Sequence, residues 1–233
     1  MVFRVPPAEL RRARVALRGL LRGTRPRTIL FGGTLIGPKR RAVALTFDDG
    51  PSAEHTPAIL DELERRGARA TFFALGRHVE AQPELARRIA HGHELAIHSF
   101  DHERGTVADR RRFADDVRRC RDLFERVTGR VPRLYRFPWG DPGVIRPADV
   151  AEQGLEPVLW TFSSHDDTLE ADAIVHRVDA HLEPGAIVLL HDALAPNSVA
   201  PRPRDATVQA LPAILDLVAA RRWAPVTVSE LLA

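Results

Sequence analysis

Beyond residue 41 the chain alternates between short apolar runs and longer segments whose apolar residues recur every three or four positions. That alternation predicts a βα architecture with a mostly parallel sheet. The first run, Ala42-Val43-Ala44-Leu45, reads as a buried strand. Further strands are expected at Ala70–Leu75, Glu94–Ile97, Leu134–Arg136, Pro157–Trp160 and Ala186–Leu190, with a short extended piece at Pro225-Val226. Helices are expected from Thr56 to about Arg66, over Pro83–Ala90, over about Val107–Val127, near 170–182 and over Ala206–Arg222, before a terminal turn at Val228–Leu232. Pro57 and Pro83 suit first turns, and Gly67 and Gly129 suit helix ends. The count is six or seven βα steps without an internal repeat, close to a barrel and short of eight.

Upstream, residues 7–23 carry a different pattern. Leu10, Ala13, Leu17, Leu20 and Leu21 share one helical face, Arg11, Arg14, Arg18 and Arg22 flank it, and Gly23 is a stop. Such a basic amphipathic helix can lie on an anionic membrane surface, or it can dock its leucines on the domain. Thr28–Ile36 reads as an extended or hairpin segment. The expected division is a basic N-terminal extension, residues 1–41, and one domain, residues 42–233.

Composition narrows the class. The 233 residues are 44% hydrophobic and 28% charged, as in ordinary soluble globular proteins. No apolar run approaches the ~20 residues that span a bilayer, and the N-terminus lacks the apolar core and cleavage site of a secretory signal. A cytoplasmic or peripheral membrane location is therefore expected. The single cysteine, Cys120, shares a helical face with Phe113, Val117 and Phe124 and reads as a core thiol. Charge is unevenly divided: residues 1–41 hold eleven basic residues against Glu9 alone, leaving 23 basic and 30 acidic residues downstream. The domain is thus acidic, which argues against a nucleic-acid partner.

The chemistry gathers where predicted strands end, the usual location of sites in parallel α/β folds. Asp48 and Asp49 follow the first strand and precede Gly50-Pro51, which turns the chain at once. Alone, the pair also fits a solvated Asp-Gly turn. Adjacent residues point to opposite faces, so the two carboxylates can take separate jobs. The third strand ends in His98-Ser99-Phe100-Asp101-His102, and two histidines four apart can meet one metal ion. With one aspartate they make a three-ligand site with open positions, the pattern of catalytic zinc. Asp48 is then free to take a proton from water. Arg136, in Arg136-Phe137-Pro138-Trp139-Gly140, can brace Asp48 through a charge-assisted pair, or be an ordinary surface arginine in a chain rich in them. Trp139 can line a sugar groove or be an ordinary buried aromatic. His191, at the end of Leu189-Leu190-His191-Asp192, can protonate a leaving amine, with Asp166 or Asp167 raising its pKa. Pro196–Arg204 is rich in breakers, as lids near sites often are.

The motifs Thr46–Ser52, His98–His102, Arg136–Gly140, Trp160–Asp166 and Leu189–Asp192 occur in the order and spacing of the polysaccharide deacetylase family, the NodB homology domain of carbohydrate esterase family 4. Ala70–Gly76 and Thr227–Leu231 look similar as well, so the resemblance covers about residues 42–233. It implies a distorted (β/α)7 barrel and metal-dependent hydrolysis of N-acetyl groups on amino sugars. By position it implies that Asp49, His98 and His102 bind the divalent ion, usually zinc, with cobalt, nickel or manganese as alternatives. Asp48 would be the base, oriented by Arg136; His191 the acid, tuned by Asp166; and the Trp139 backbone N–H an oxyanion donor. Pro138, Trp139, Trp160 and Leu189 would border the groove. Two departures stand out: Trp139 occupies a position usually held by tyrosine, and Asp167 one often held by tryptophan. The expected substrate is an N-acylated amino-sugar glycan or glycolipid. A formamido sugar or a small non-sugar amide or imide is the alternative, and a non-catalytic sugar-binding module the rival from another class.

Overall fold

A computed structural model describes residues 41–197 and 204–233. The basic segment at 7–23, the stretch 28–36 and most of the breaker-rich loop lie outside the described residues. Among the described residues no helix is long and apolar enough to cross a membrane.

The strands are β1 (Ala42–Asp48), β2 (Thr71–Ala74), β3 (Glu94–Ile97), β4 (Leu134–Tyr135), β5 (Glu156–Pro157), β6 (Phe162–Ser163), β7 (Ile187–His191) and β8 (Ala224–Pro225). The helices between them are α1 (Thr56–Arg65), α2 (Gly76–Ala81), α3 (Pro83–Gly92), α4 (Arg110–Thr128), α5 (Pro147–Glu152), α6 (Ala171–His181), α7 (Asp205–Ala220) and α8 (Val228–Leu232). Every strand pairing is parallel, in the order β5-β4-β3-β2-β1-β7-β6, with β8 on the start of β1. Among the described residues β5 and β6 do not pair, so the sheet is a curled, open form of the expected barrel.

The period-2 alternation of the strands decides what faces the inside of the curl. Val43, Leu45 and Phe47 pack outward with Ile59, Leu63, Ile174, Val178 and Ile214 of α1, α6 and α7. Ala42 and Ala44 point inward with Phe73, Ala96, Leu134 and Ile187, over Val228 and Leu231 of α8. Continuing that inner row, Thr46 and Asp48 come next on β1. A second outer core joins Ile97 and Tyr135 to Phe113, Val117, Cys120 and Phe124 of α4, and Cys120 is fully buried as expected.

Several boundaries differ from the expectations, each for a local reason. Helix α4 begins at Arg110, because the Asp109 side chain accepts the Arg112 N–H at 3.0 Å and caps the helix there. Such a cap is worth about 1 kcal/mol. The strand expected over Pro157–Trp160 stops at Pro157, since the carbonyls of Val158 and Leu159 accept from the Arg136 guanidinium instead. Helices α2 and α5 were not expected; each is only six residues long, too short to show periodicity. Gly76 opens α2 where a Cβ would meet the Phe100 ring at 2.3 Å.

Candidate active site

Asp48, His191 and Arg136 sit on the inner face at one end of the sheet, placed by the same alternation that places Ala44, Ile187 and Leu134. His191 is the register partner of Asp48. His98 follows Ala96 on the inner row of β3, its N–H still bonded to the Ala74 carbonyl at 2.9 Å.

Asp49 departs from the expected alternation. Its carboxylate does not take the opposite face from that of Asp48: His98 Nε2 lies 3.7 Å from Asp48 Oδ2 and 3.6 Å from Asp49 Oδ1. The cause is a left-handed backbone at Asp49, with φ of 76°, just beyond the strand. Ser99 and His102 also have positive φ, 71° and 56°, and the resulting tight loop brings His102 Nε2 to 3.5 Å from Asp49 Oδ1.

Asp49, His98 and His102 thus offer one ligand atom each, all within 4.8 Å of one another. Ligands about 2.0–2.1 Å from a tetrahedral ion lie roughly 3.4 Å apart, so these spacings suit one cation. Asp49 Oδ1 is buried and has no hydrogen-bond partner among the described residues, a costly condition that a cation would relieve. Both imidazoles are oriented from behind. His98 Nδ1–H donates to the Arg136 carbonyl at 2.8 Å, and His102 Nδ1–H to Asn197 Oδ1 at 3.0 Å, which leaves each Nε2 facing Asp49. The residues present fit a divalent ion.

Arg136 is fully buried, and its side chain ties Asp48 to the neighbouring backbone. Nη1 donates to Asp48 Oδ1 at 2.7 Å and Thr46 Oγ1 at 2.8 Å, while Nε and Nη2 donate to the Val158 and Leu159 carbonyls. Its guanidinium lies 3.8 Å from the Phe73 ring centroid. Burial pushes its pKa down, against the pull of Asp48.

Of Asp166 and Asp167, it is Asp166 that meets His191. Asp166 Oδ1 accepts from His191 Nδ1–H at 2.8 Å, and Oδ2 accepts from the His191 backbone N–H and from Thr207 Oγ1–H, both at 2.7 Å. Burial works against charge on both partners, but their attraction outweighs it. His191 is raised to about 9 and Asp166 lowered to about 2. At neutral pH His191 therefore carries a proton.

The residues expected to border a groove differ in exposure. Trp139 is 39% exposed, with its ring 4.2 Å from that of His102 and the Arg104 guanidinium 4.3 Å from it on centroid distances. Trp160 is half-buried, 5.6 Å from the Arg136 guanidinium, whereas Pro138 and Leu189 are buried.

Thr46, Asn197 and Thr207 support the site without having been singled out. Thr207 is 41 residues from Asp166, so nothing local marks it. Asn197 falls in the breaker-rich loop, which was a signal. Asp192 closes the Leu-His-Asp motif and is wholly buried.

Residues 36–158 match the family described as polysaccharide deacetylase. The chain is 39% identical over 178 residues to a chitooligosaccharide deacetylase of Bradyrhizobium sp. (strain ANU 289), covering 73% of this chain and 81% of that one. It is 34% identical over 158 residues to a peptidoglycan-N-acetylglucosamine deacetylase of Bacillus cereus, covering 66% of this chain and 58% of the relative. Among solved structures, the Bc1960 peptidoglycan N-acetylglucosamine deacetylase superposes with a TM-score of 0.74 at 29% identity, over 84% of this chain and 90% of that one.

Proposed function

Because the chain belongs to the polysaccharide deacetylase family, we propose that it hydrolyses N-acetyl groups on an N-acetylglucosamine-containing glycan, with residues 42–233 as the catalytic domain. The observation that carries this reading is the convergence of Asp49, His98 and His102 beside an arginine-braced Asp48, with His191 paired to Asp166 on the neighbouring strand. A ligand set of two imidazoles and one carboxylate favours zinc.

Asp49, His98 and His102 would hold a divalent cation, which would supply Lewis acidity to polarise the acyl carbonyl and make water a better nucleophile. The residues do the rest. Asp48, aimed by Arg136, takes a proton from water as its oxygen attacks the carbonyl carbon. The carbonyl oxygen gains negative charge and accepts from the Trp139 backbone N–H. His191 gives its proton to the sugar nitrogen as the C–N bond breaks, releasing acetate and a free amine. Asp166 holds His191 in the donating tautomer and compensates its charge.

The test is a panel of chitooligosaccharides, peptidoglycan fragments, a formamido sugar and simple amides, with acetate, formate and ammonia each measured. Acetate from the N-acetylglucosamine substrates is the expected product. Formate or ammonia release without acetate would replace this reading with that of another amidase.

A further inference from the structure

Asp49 is a metal-ligand candidate with a left-handed backbone. A side chain in the left-handed region costs of order 1 kcal/mol or more, and such a conformation persists only where its surroundings hold it. The peptide between Asp49 and Gly50 is held at both polar ends. The Asp49 carbonyl accepts from His78 Nδ1–H at 2.6 Å, and the Gly50 N–H donates to Asp192 Oδ1 at 3.1 Å. These partners come from different parts of the fold, α2 and the residue following β7.

The two restraints differ in character. Asp192 is an interior anchor: its Oδ2 also accepts from Thr56 Oγ1–H at 2.6 Å, and Gly50 has no Cβ because one would sit 2.0 Å from that carboxylate. His78 is only half-buried and lines an opening of about 280 Å³ shared with Ser52, His55 and Gln82. Among the described residues its ring makes no bond except to Asp49. A carbonyl oxygen only accepts, so His78 must carry its proton on Nδ1. Fixing that carbonyl fixes ψ of Asp49, and with it where the carboxylate points.

We propose that His78 is a positioning residue, which keeps the Asp49 carboxylate aimed at the cation by holding the Asp49–Gly50 peptide. The proposal rests on the assignment of Asp49, His98 and His102 as the metal site. It gives His78 no contact with substrate.

Zinc affinity is the readout, measured by titrating metal-stripped protein with zinc against a competing chromogenic chelator, alongside thermal unfolding. Loss of an outer partner of a metal ligand typically weakens binding about 10–100-fold, and His78→Ala should do so while remaining folded. His78→Asn places an amide N–H where Nδ1–H lies and should bind zinc within about threefold of the parent. Excess zinc should restore most of the His78→Ala activity. Parent-like zinc affinity in His78→Ala, or a folded His78→Asn as weak as the alanine variant, would overturn the proposal. His98→Ala provides the separation: if the parent binds zinc no better than His98→Ala, the metal-site reading itself has failed.

Discussion

Arg136 Nη1 lies 2.7 Å from Asp48 Oδ1, deep in the curl of the sheet, and the arginine has no exposed surface. Removing one member of a buried pair strands the other charge, which typically costs about 3–5 kcal/mol. Arg136→Leu should therefore lower unfolding free energy by about that amount in urea, and turnover should fall with it. Asp48→Asn keeps an oxygen for the guanidinium and should lose less stability. An Arg136→Leu protein within about 1 kcal/mol of the parent would show that the pair is not holding Asp48 in place.

His191 yields a pH prediction with a definite sign. Its folded pKa of about 9 lies above the usual 6.5, so the stability it contributes is complete below about 6.5 and lost as pH rises through about 9. As a proton donor it should produce an alkaline limb in kcat/KM. Burial alone would lower this pKa, and Asp166 is what reverses it. Asp166→Asn should move the limb down by at least about one pH unit, read from the pH–rate profile. An unmoved limb would assign that ionisation to another group.

Gly50 offers a steric test. In Gly50→Ala the new Cβ would start 2.0 Å from the Asp192 carboxylate. The expected cost is about 1–3 kcal/mol in thermal or urea unfolding, with weaker zinc binding because the turn carrying Asp49 must shift. Unchanged stability and zinc affinity would mean that the Asp192–Gly50 contact is slack.

Trp139 separates groove from chemistry. Its proposed catalytic group is the backbone N–H, while its ring packs on His102 under Arg104. Trp139→Tyr should leave kcat within about threefold and act mainly on KM for oligosaccharides. A fall of about a hundredfold in kcat would give the indole a direct part in the reaction.

Much of the candidate site was legible because it follows strand alternation. Asp48, His98, Arg136 and His191 each lie two residues beyond an inner-facing neighbour: Thr46, Ala96, Leu134 and Leu189. A period of two, read to the end of each strand, puts these four on one face. Asp49 and His102 were harder to place, because positive φ values rather than strand geometry turn them toward the others. Opposite faces for Asp48 and Asp49 would have followed from an ordinary strand. The short end of β5 was also hidden, since Val158 and Leu159 give their carbonyls to Arg136, a partner 22 or 23 residues away. The grip of Thr207 on Asp166 and of His78 on the Asp49 carbonyl are long-range contacts without a local pattern.

The division of labour between the two adjacent aspartates is tested most sharply by Asp48→Asn, assayed for zinc content and for acetate release from N-acetylglucosamine oligomers in one preparation. The expected result is full zinc occupancy with turnover reduced by about 10²–10⁴-fold, the usual contribution of a general base. Parent-level acetate release from zinc-loaded Asp48→Asn would contradict the assignment of Asp48 as the group that takes the proton from water.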